Sequence, residues 1–267
     1  MNSLFWQDKS VFITGHTGFK GGWLSLWLDL MGASVHGYSL HPLSDPALFD
    51  VANIDAAVAS DVRADLADFK ELQSALKLAN PEVIFHLAAQ SLVRDGYVKP
   101  LDTFSTNVMG TANLLEASRE VSSIRAIVIV TTDKVYQNSG GEIMFKEQDP
   151  LGGPDPYGAS KAAAEIVTAS YRSSFFNTEG GHPAKIATAR AGNVIGGGDW
   201  AADRLIPDCM RAFSAAEPVM LRYPDSIRPW QHVLEPLSGY FKLAQGLLSE
   251  NGVSFAKAWN FGPPSSD

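Results

Sequence analysis

Short runs of apolar and β-branched residues recur along this chain, and each is followed by a longer stretch with helical spacing. Val11-Phe12-Ile13, Ser34 to Tyr38, Val83 to Leu87, Ala126 to Val130 and Lys185 to Ala191 read as strands. Trp23 to Met31, Asp68 to Ala79, Thr103 to Val121 and Tyr157 to Phe176 read as the helices between them, with Gly32 and Pro81 placed to stop the first two. Runs that are apolar throughout, rather than alternating, mark strands covered on both faces. Strand and helix in repeated succession require parallel pairing through right-handed crossovers. The fold class is therefore α/β, a doubly wound parallel Rossmann-like sheet. From Gly192 the texture changes, with Gly196-Gly197-Gly198, Pro207, Pro218, Pro224 and Pro229 punctuating shorter elements. This divides the chain into a domain over 1–192 and the start of a smaller substrate-facing region over 193–230. The helix from about Leu234 to Ser249 and a strand near Trp259 bring 231–262 back to the main sheet.

Charge and cysteine usage narrow the function. Of 267 residues, 21 are Lys or Arg and 29 are Asp or Glu, a net charge of −8. That balance excludes a broad nucleic-acid face, which needs clustered cations, while a few placed cations can still hold an anionic small molecule. The single Cys209 excludes an internal disulfide and reads as a buried apolar residue in a helix. The six His show no i, i+4 pair or carboxylate grouping, so no metal is expected. The segment from Met1 lacks a basic stretch followed by a long apolar run, and no apolar run is long enough to span a bilayer. The expectation is a cytoplasmic protein with no membrane partner.

Directly after the first strand stands Thr14-Gly15-His16-Thr17-Gly18-Phe19-Lys20-Gly21-Gly22, which spaces Gly15, Gly18 and Gly21 three apart and opens a helix. A backbone that approaches a pyrophosphate has no room for a Cβ, and a helix N-terminus offers unpaired N–H groups to the anion. A nucleotide-binding P-loop would need Gly-Lys-Ser/Thr, and Lys20 stands between Phe19 and Gly21 instead. Beyond the second strand, an acidic residue would hold the ribose diol of NAD and an arginine the 2′-phosphate of NADP. The stretch Tyr38-Ser39-Leu40-His41-Pro42 contains neither, and no Lys or Arg occurs between Lys20 and Arg63. The cofactor expected is NAD, with Ser39 near the ribose. Asp65-Leu66 reads equally as a flank for the adenine or as the lead-in to a helix.

Tyr157-Gly158-Ala159-Ser160-Lys161 is the only place where one of the seven tyrosines has a lysine four residues on, stacking the two on one helix face. A nearby ammonium favours the phenolate and makes a usable base. The strongest strand runs into Thr131-Thr132-Asp133-Lys134, and ligands bind at the C-terminal ends of strands in such sheets.

Gly15-x-x-Gly18-x-x-Gly21, His86-Leu87-Ala88-Ala89, Asn107-Val108-Met109-Gly110-Thr111 and Tyr157-x-x-x-Lys161 together resemble the extended short-chain dehydrogenase/reductases acting on nucleotide sugars. Gly15 to Trp23, Thr132-Asp133-Lys134, Arg190 to Trp200 and Arg228 to Val233 are similar to the CDP-glucose 4,6-dehydratase branch of that family. The resemblance implies NAD held by Gly15, Thr17, Gly18, Phe19, Gly21, Leu87, Ala88 and Ala89, with Tyr157 and Lys161 beside it. It implies a CDP-glucose substrate oxidised at C4, dehydrated across C5–C6 and reduced at C6. Tyr157 would take the C4 hydroxyl proton with Lys161 lowering its pKa, Thr132 would bond the C4 oxygen, and Asp133 would protonate the departing hydroxyl. Lys134 stands where dTDP-sugar relatives carry a glutamate base, and it acts either as the C5 base or as a stabiliser of the enolate. Asn193, Arg204 and Arg228 would meet the substrate diphosphate. The family further implies a homodimer built on the Thr103–Val121 and Tyr157–Phe176 helices. It also implies chain beyond Asn260-Phe261-Gly262-Pro263-Pro264, so part of the substrate region is expected to be missing. A nucleotide-sugar 4-epimerase and a non-catalytic NAD-binding scaffold remain as alternatives.

Overall fold

The structure is a computed structural model and describes residues 3–138, 140, 144–176 and 180–263; Met1 and Pro264, used above, lie outside the described residues. Its elements run β1 (Ser10–Thr14), α1 (Phe19–Leu30), β2 (Ser34–Ser39), α2 (Leu48–Val51), β3 (Ser60–Arg63), α3 (Phe69–Ala79), β4 (Val83–His86), α4 (Val93–Val98), α5 (Pro100–Phe104) and, after a π-helical turn over Ser105–Met109, α6 (Gly110–Ser118). There follow β5 (Ala126–Val130), α7 (Pro156–Tyr171), β6 (Lys185–Ala191), β7 (Val194–Ile195), α8 (Leu205–Ser214), β8 (Gln231–His232), α9 (Leu234–Leu248), α10 (Gly252–Phe255) and β9 (Ala258–Phe261).

Seven parallel strands form one sheet in the order β3-β2-β1-β4-β5-β6-β9, and β7 pairs with β8 apart from it. The central strand β5 is apolar throughout because helices cover both of its faces. In β5, Ala126, Val128 and Val130 enter the core shared with α1 and α9, while Ile127 and Ile129 enter the core shared with α3 and α6. Trp6, Phe85 and Phe241 meet in the first of these, ring centroids 5.3 to 6.0 Å apart. Strand order reverses between β1 and β4, and this opens the crevice where doubly wound sheets bind ligands.

Three local expectations change. The stretch between β2 and α3, where the sequence marked no element, contains α2 and an edge strand, β3. The helix read as Thr103–Val121 starts at Pro100, which suits the first helical position, and α6 stops at Ser118. Cys209 is half-buried rather than buried, because α8 exposes Leu205, Ile206, Met210 and Phe213 and little packs on it.

Candidate active site

The chain leaves β1 at Thr14 and turns at once into α1. Gly15 holds φ +81, and a Cβ there would stand 2.7 Å from the Ala88 backbone nitrogen. A Cβ on Gly21 would overlap the Gly15 carbonyl, so α1 lies on the turn only with glycine at both positions. No side chain caps α1 at Gly18, which leaves its first-turn N–H groups open to an anion. Leu87 N donates to the Thr14 carbonyl at 3.0 Å and Ala88 N to Thr14 Oγ1 at 3.2 Å, lacing the end of β4 to the turn, and half-buried Ala89 follows. Phe19, also half-buried, packs into the core beside α2. A bare backbone cradle at a helix N-terminus fits a dinucleotide pyrophosphate.

Toward β2, Thr17 Oγ1 donates to the Leu40 carbonyl at 3.0 Å and lies 2.8 Å from Ser39 Oγ. Leu66 is buried against Gly110, while Asp65 is exposed, with Oδ1 accepting from Ala67 N and its carbonyl accepting from the Tyr38 hydroxyl. No cation is close to Ser39 in sequence, but the fold supplies one. Parallel pairing of β2 with β3 sets Arg63 directly opposite Ser39.

The second half of the site forms where β5 ends. Thr132 Oγ1 donates to Asp133 Oδ1 at 3.0 Å and accepts from Lys134 N at 3.3 Å, and Lys134 Nζ pairs with the same Asp133 oxygen at 3.1 Å. Asp155 caps α7 by accepting from Gly158 N, and Pro156 follows it, so Tyr157 stands in the first turn with Lys161 one turn on. Burial pushes the Tyr157 phenol up to about 12, and the largest opposing pulls come from a Thr132 hydrogen bond and the Arg204 charge. Lys161 donates to the Val130 carbonyl at 3.0 Å, and desolvation brings its ammonium down to about 8 against the pull of Glu165.

Arg204 precedes α8, donates to Asp199 at 2.9 Å and to Ser91 Oγ at 3.3 Å, and acts on both Tyr157 and Lys20. Asn193 leaves Oδ1 buried with no hydrogen-bond partner. Arg228 is exposed and donates to the neighbouring Ile227 carbonyl, while Pro229 after it approaches Gly192 on the same side as Asp133. His86 is buried between Thr14 Oγ1 (2.7 Å) and Thr111 Oγ1 (3.1 Å), and its pKa falls to about 3 by desolvation, so it is a neutral structural residue.

Several residues of the site escaped the reading of the sequence. Lys20 feels Arg204, Lys161, Asp133 and Lys134, and desolvation pushes its ammonium down to about 8. Its position four residues before buried Leu24 was the available signal. Asn107 bonds Gln90 N, Gln90 O and Ser160 Oγ, tying the loop after β4 to α7. Behind the loop, Glu165 accepts from Thr131 Oγ1, Thr188 Oγ1 and both Nε and Nη2 of Arg190, at 2.6 to 3.0 Å.

The profile of the GDP-mannose 4,6 dehydratase family matches residues 12–247. The chain is 51% identical to the CDP-glucose 4,6-dehydratase of Salmonella typhimurium strain LT2, over 98% of this chain and 73% of that one. It is 30% identical to a GDP-mannose 4,6-dehydratase of Vibrio cholerae, over 63% of this chain and 47% of that one. Among solved structures, MoeE5 in complex with UDP-glucose and NAD superposes with a TM-score of 0.77 at 25% identity, covering 96% of this chain and 77% of that one.

Proposed function

Because the chain belongs to the GDP-mannose 4,6 dehydratase family, we propose that it is an NAD-dependent lyase that dehydrates CDP-glucose to its 4-keto-6-deoxy sugar. One observation carries the reading: Thr132, Asp133, Lys134, Tyr157 and Lys161 converge at the end of β5, at the C-terminal edge of the sheet that also presents the open turn before α1. NAD would be held by the open turn before α1 together with Tyr157 and Lys161, and would supply the hydride acceptor for C4 and the hydride donor for C6, water being lost across C5–C6 between the two transfers.

The protein's own residues handle the protons. Thr132 and Arg204 oppose the burial that keeps the Tyr157 phenol protonated, and the phenolate form of Tyr157 receives the C4 hydroxyl proton. Asp133 relays a proton from the Lys134 ammonium, 3.1 Å away, to the departing C6 hydroxyl, and the lysine so freed acts at C5. Asn193, Arg204 and Arg228 meet the diphosphate, a reading supported for Arg228 by Pro229, which approaches Gly192 on the same side as Asp133. The choice of cytidine rests on likeness to the Salmonella enzyme.

The stretch 193–230 serves as the start of the substrate-binding region, a reading supported by the unpartnered apolar residues of α8. A homodimer through α5, α6 and α7 is supported by exposed Leu101, Met109 and Ile166. The reading includes a cytoplasmic setting; among the described residues no helix is long and apolar enough to cross a membrane.

The test is incubation with NAD and CDP-, dTDP-, UDP- and GDP-hexoses, followed by mass spectrometry. Loss of water from the CDP sugar in preference to the others is expected, and no loss of water from any of them refutes the proposal. Solvent deuterium at C5 separates the roles of Lys134: Lys134→Ala should slow its incorporation, and unchanged incorporation would remove Lys134 from that step.

A further inference from the structure

One buried ion pair reaches both ends of the loop that carries Asp133 and Lys134. Glu165 and Arg190 are each 4% exposed at the side chain and meet at 2.9 Å. At the front of the loop, Thr131 Oγ1 donates to Glu165 Oε1 at 2.6 Å. At its back, Arg190 Nη1 donates to the Tyr136 hydroxyl at 2.8 Å, and that hydroxyl donates in turn to Asn260 Oδ1 at 2.6 Å. Thr188 Oγ1 donates to the second carboxylate oxygen at 2.7 Å, so the pair is also fixed to β6.

The reactive side chains have no comparable hold of their own. Asp133 and Lys134 are each 35% exposed, and among the described residues their side chains bond only Thr132 and each other. Their placement therefore follows the backbone. The Lys134 carbonyl lies where a Cβ on Gly153 or Gly158 would come within 2.6 or 2.8 Å of it, so the loop rests directly on the first turn of α7. Glu165 stands on the face of α7 that carries Tyr157 and Lys161, one turn beyond the lysine and two beyond the tyrosine. Lys161 grips the Val130 carbonyl and Glu165 grips Thr131, so successive turns of the helix hold successive residues of the chain leaving β5. A buried ion pair gains little over apolar packing of the same volume, and its best-attested use is to fix one arrangement of its surroundings.

We propose that Glu165 and Arg190, acting through Thr131 and Tyr136, are positioning residues that clamp the loop so that Asp133 and Lys134 stand in fixed register with Tyr157. The role in the reaction rests on the dehydratase reading above, because it assigns the clamp to the second of two stages. Oxidation at C4 uses Tyr157 on α7, and that helix keeps its own anchors in the Asp155 cap and the bond from Lys161 to Val130. Water loss across C5–C6 uses the acid and the base of the loop. Loosening the clamp therefore spares the first stage and slows the second. A misplacement of about 1 Å at a reacting group costs on the order of 10²-fold.

Two mild substitutions open the clamp at either end and leave Glu165 paired with Arg190. Tyr136→Phe removes the hydroxyl but keeps the ring stacked on Phe145, centroids 4.7 Å apart. Thr131→Val removes the other hydroxyl at nearly equal volume. Amide hydrogen exchange of the full chain, read by mass spectrometry, should run about tenfold or more faster over residues 131–137 in each variant. Exchange in β5 and α7 should stay at the wild-type rate, which also shows that the variants are folded. With NAD and CDP-glucose, the absorbance of reduced nicotinamide follows C4 oxidation, and mass spectrometry follows loss of water. Oxidation should stay within about threefold of wild type, while loss of water slows by about tenfold or more. Loop exchange unmoved in both variants, or water loss slowed no more than oxidation, overturns the inference and leaves the dehydratase reading standing. If wild-type protein removes water from no nucleotide sugar, the dehydratase reading falls. Faster loop exchange in the variants would then still uphold the clamp, and unmoved exchange would overturn both.

Discussion

Replacing Lys20 with methionine should make the fold more stable at neutral pH. Lys20 sits in the first turn of α1, facing Arg204, Lys161 and Lys134 with only Asp133 to oppose them, and desolvation is the largest cause of its lowered proton affinity. The fall from 10.5 to about 8 corresponds to ~3 kcal/mol at about 1.36 kcal/mol per tenfold change. Below about pH 8 the lysine is protonated in folded and unfolded chains alike, and the folded state bears the whole cost. Between about pH 8 and 10.5 the unfolded chain binds a proton that the folded chain lacks, so unfolding free energy rises with pH. Above that window the charge and its cost are both gone. Methionine keeps the aliphatic stem without the charge. Urea denaturation should therefore find Lys20→Met more stable than wild type by ~2–3 kcal/mol at about pH 7, allowing for partial screening. The advantage should shrink below ~1 kcal/mol at about pH 10. A gain equal at both pH values, or a variant less stable than wild type at neutral pH, would refute the reasoning.

Other substitutions probe the remaining parts. Tyr157→Phe should lower kcat by about 10²–10⁴-fold while leaving the urea midpoint unchanged, measured by turnover and denaturation of the same preparation. Arg190→Met strands the Glu165 carboxylate, whose side chain is 4% exposed, and should cost about 3–5 kcal/mol in urea unfolding. Gly15→Ala puts a methyl 2.7 Å from the Ala88 nitrogen at φ +81; it should weaken dinucleotide binding more than about tenfold by fluorescence titration and destabilise the fold by about 1–3 kcal/mol.

The parts of the fold that were legible in the sequence are those buried from both sides. β1, β4 and β5 announce themselves because helices on two faces demand apolar runs, Val11 to Ile13, Val83 to Phe85 and Ala126 to Val130. β3 does not, since Ser60-Asp61-Val62-Arg63 is an edge strand with a single neighbour and one apolar residue in four. The same contrast governs the site. Thr132-Asp133-Lys134 and Tyr157 with Lys161 are local in sequence and could be read as units. Arg63 beside Ser39 is a product of strand register, which no local pattern carries. The bond from Asn107 to Ser160 spans 53 residues, so the purpose of the Asn107 motif was visible only in three dimensions.

β9 has a consequence for how the protein is made. Asn260 Oδ1 accepts from the Tyr136 hydroxyl at 2.6 Å, its backbone N–H donates to Glu147, and its amide Nδ2 donates to the Phe145 carbonyl. Tyr136 closes the turn that carries Asp133 and Lys134, so this latch on the loop after β5 is supplied by a strand synthesised more than a hundred residues later. On the ribosome, β1 to β5 emerge and can pair while residue 260 is still unmade. The nascent sheet therefore passes through an interval in which it can hold a nucleotide at its first turn before its chemical loop is secured. A ligand bound during that interval would favour the paired strands and act as a template for the remainder of folding.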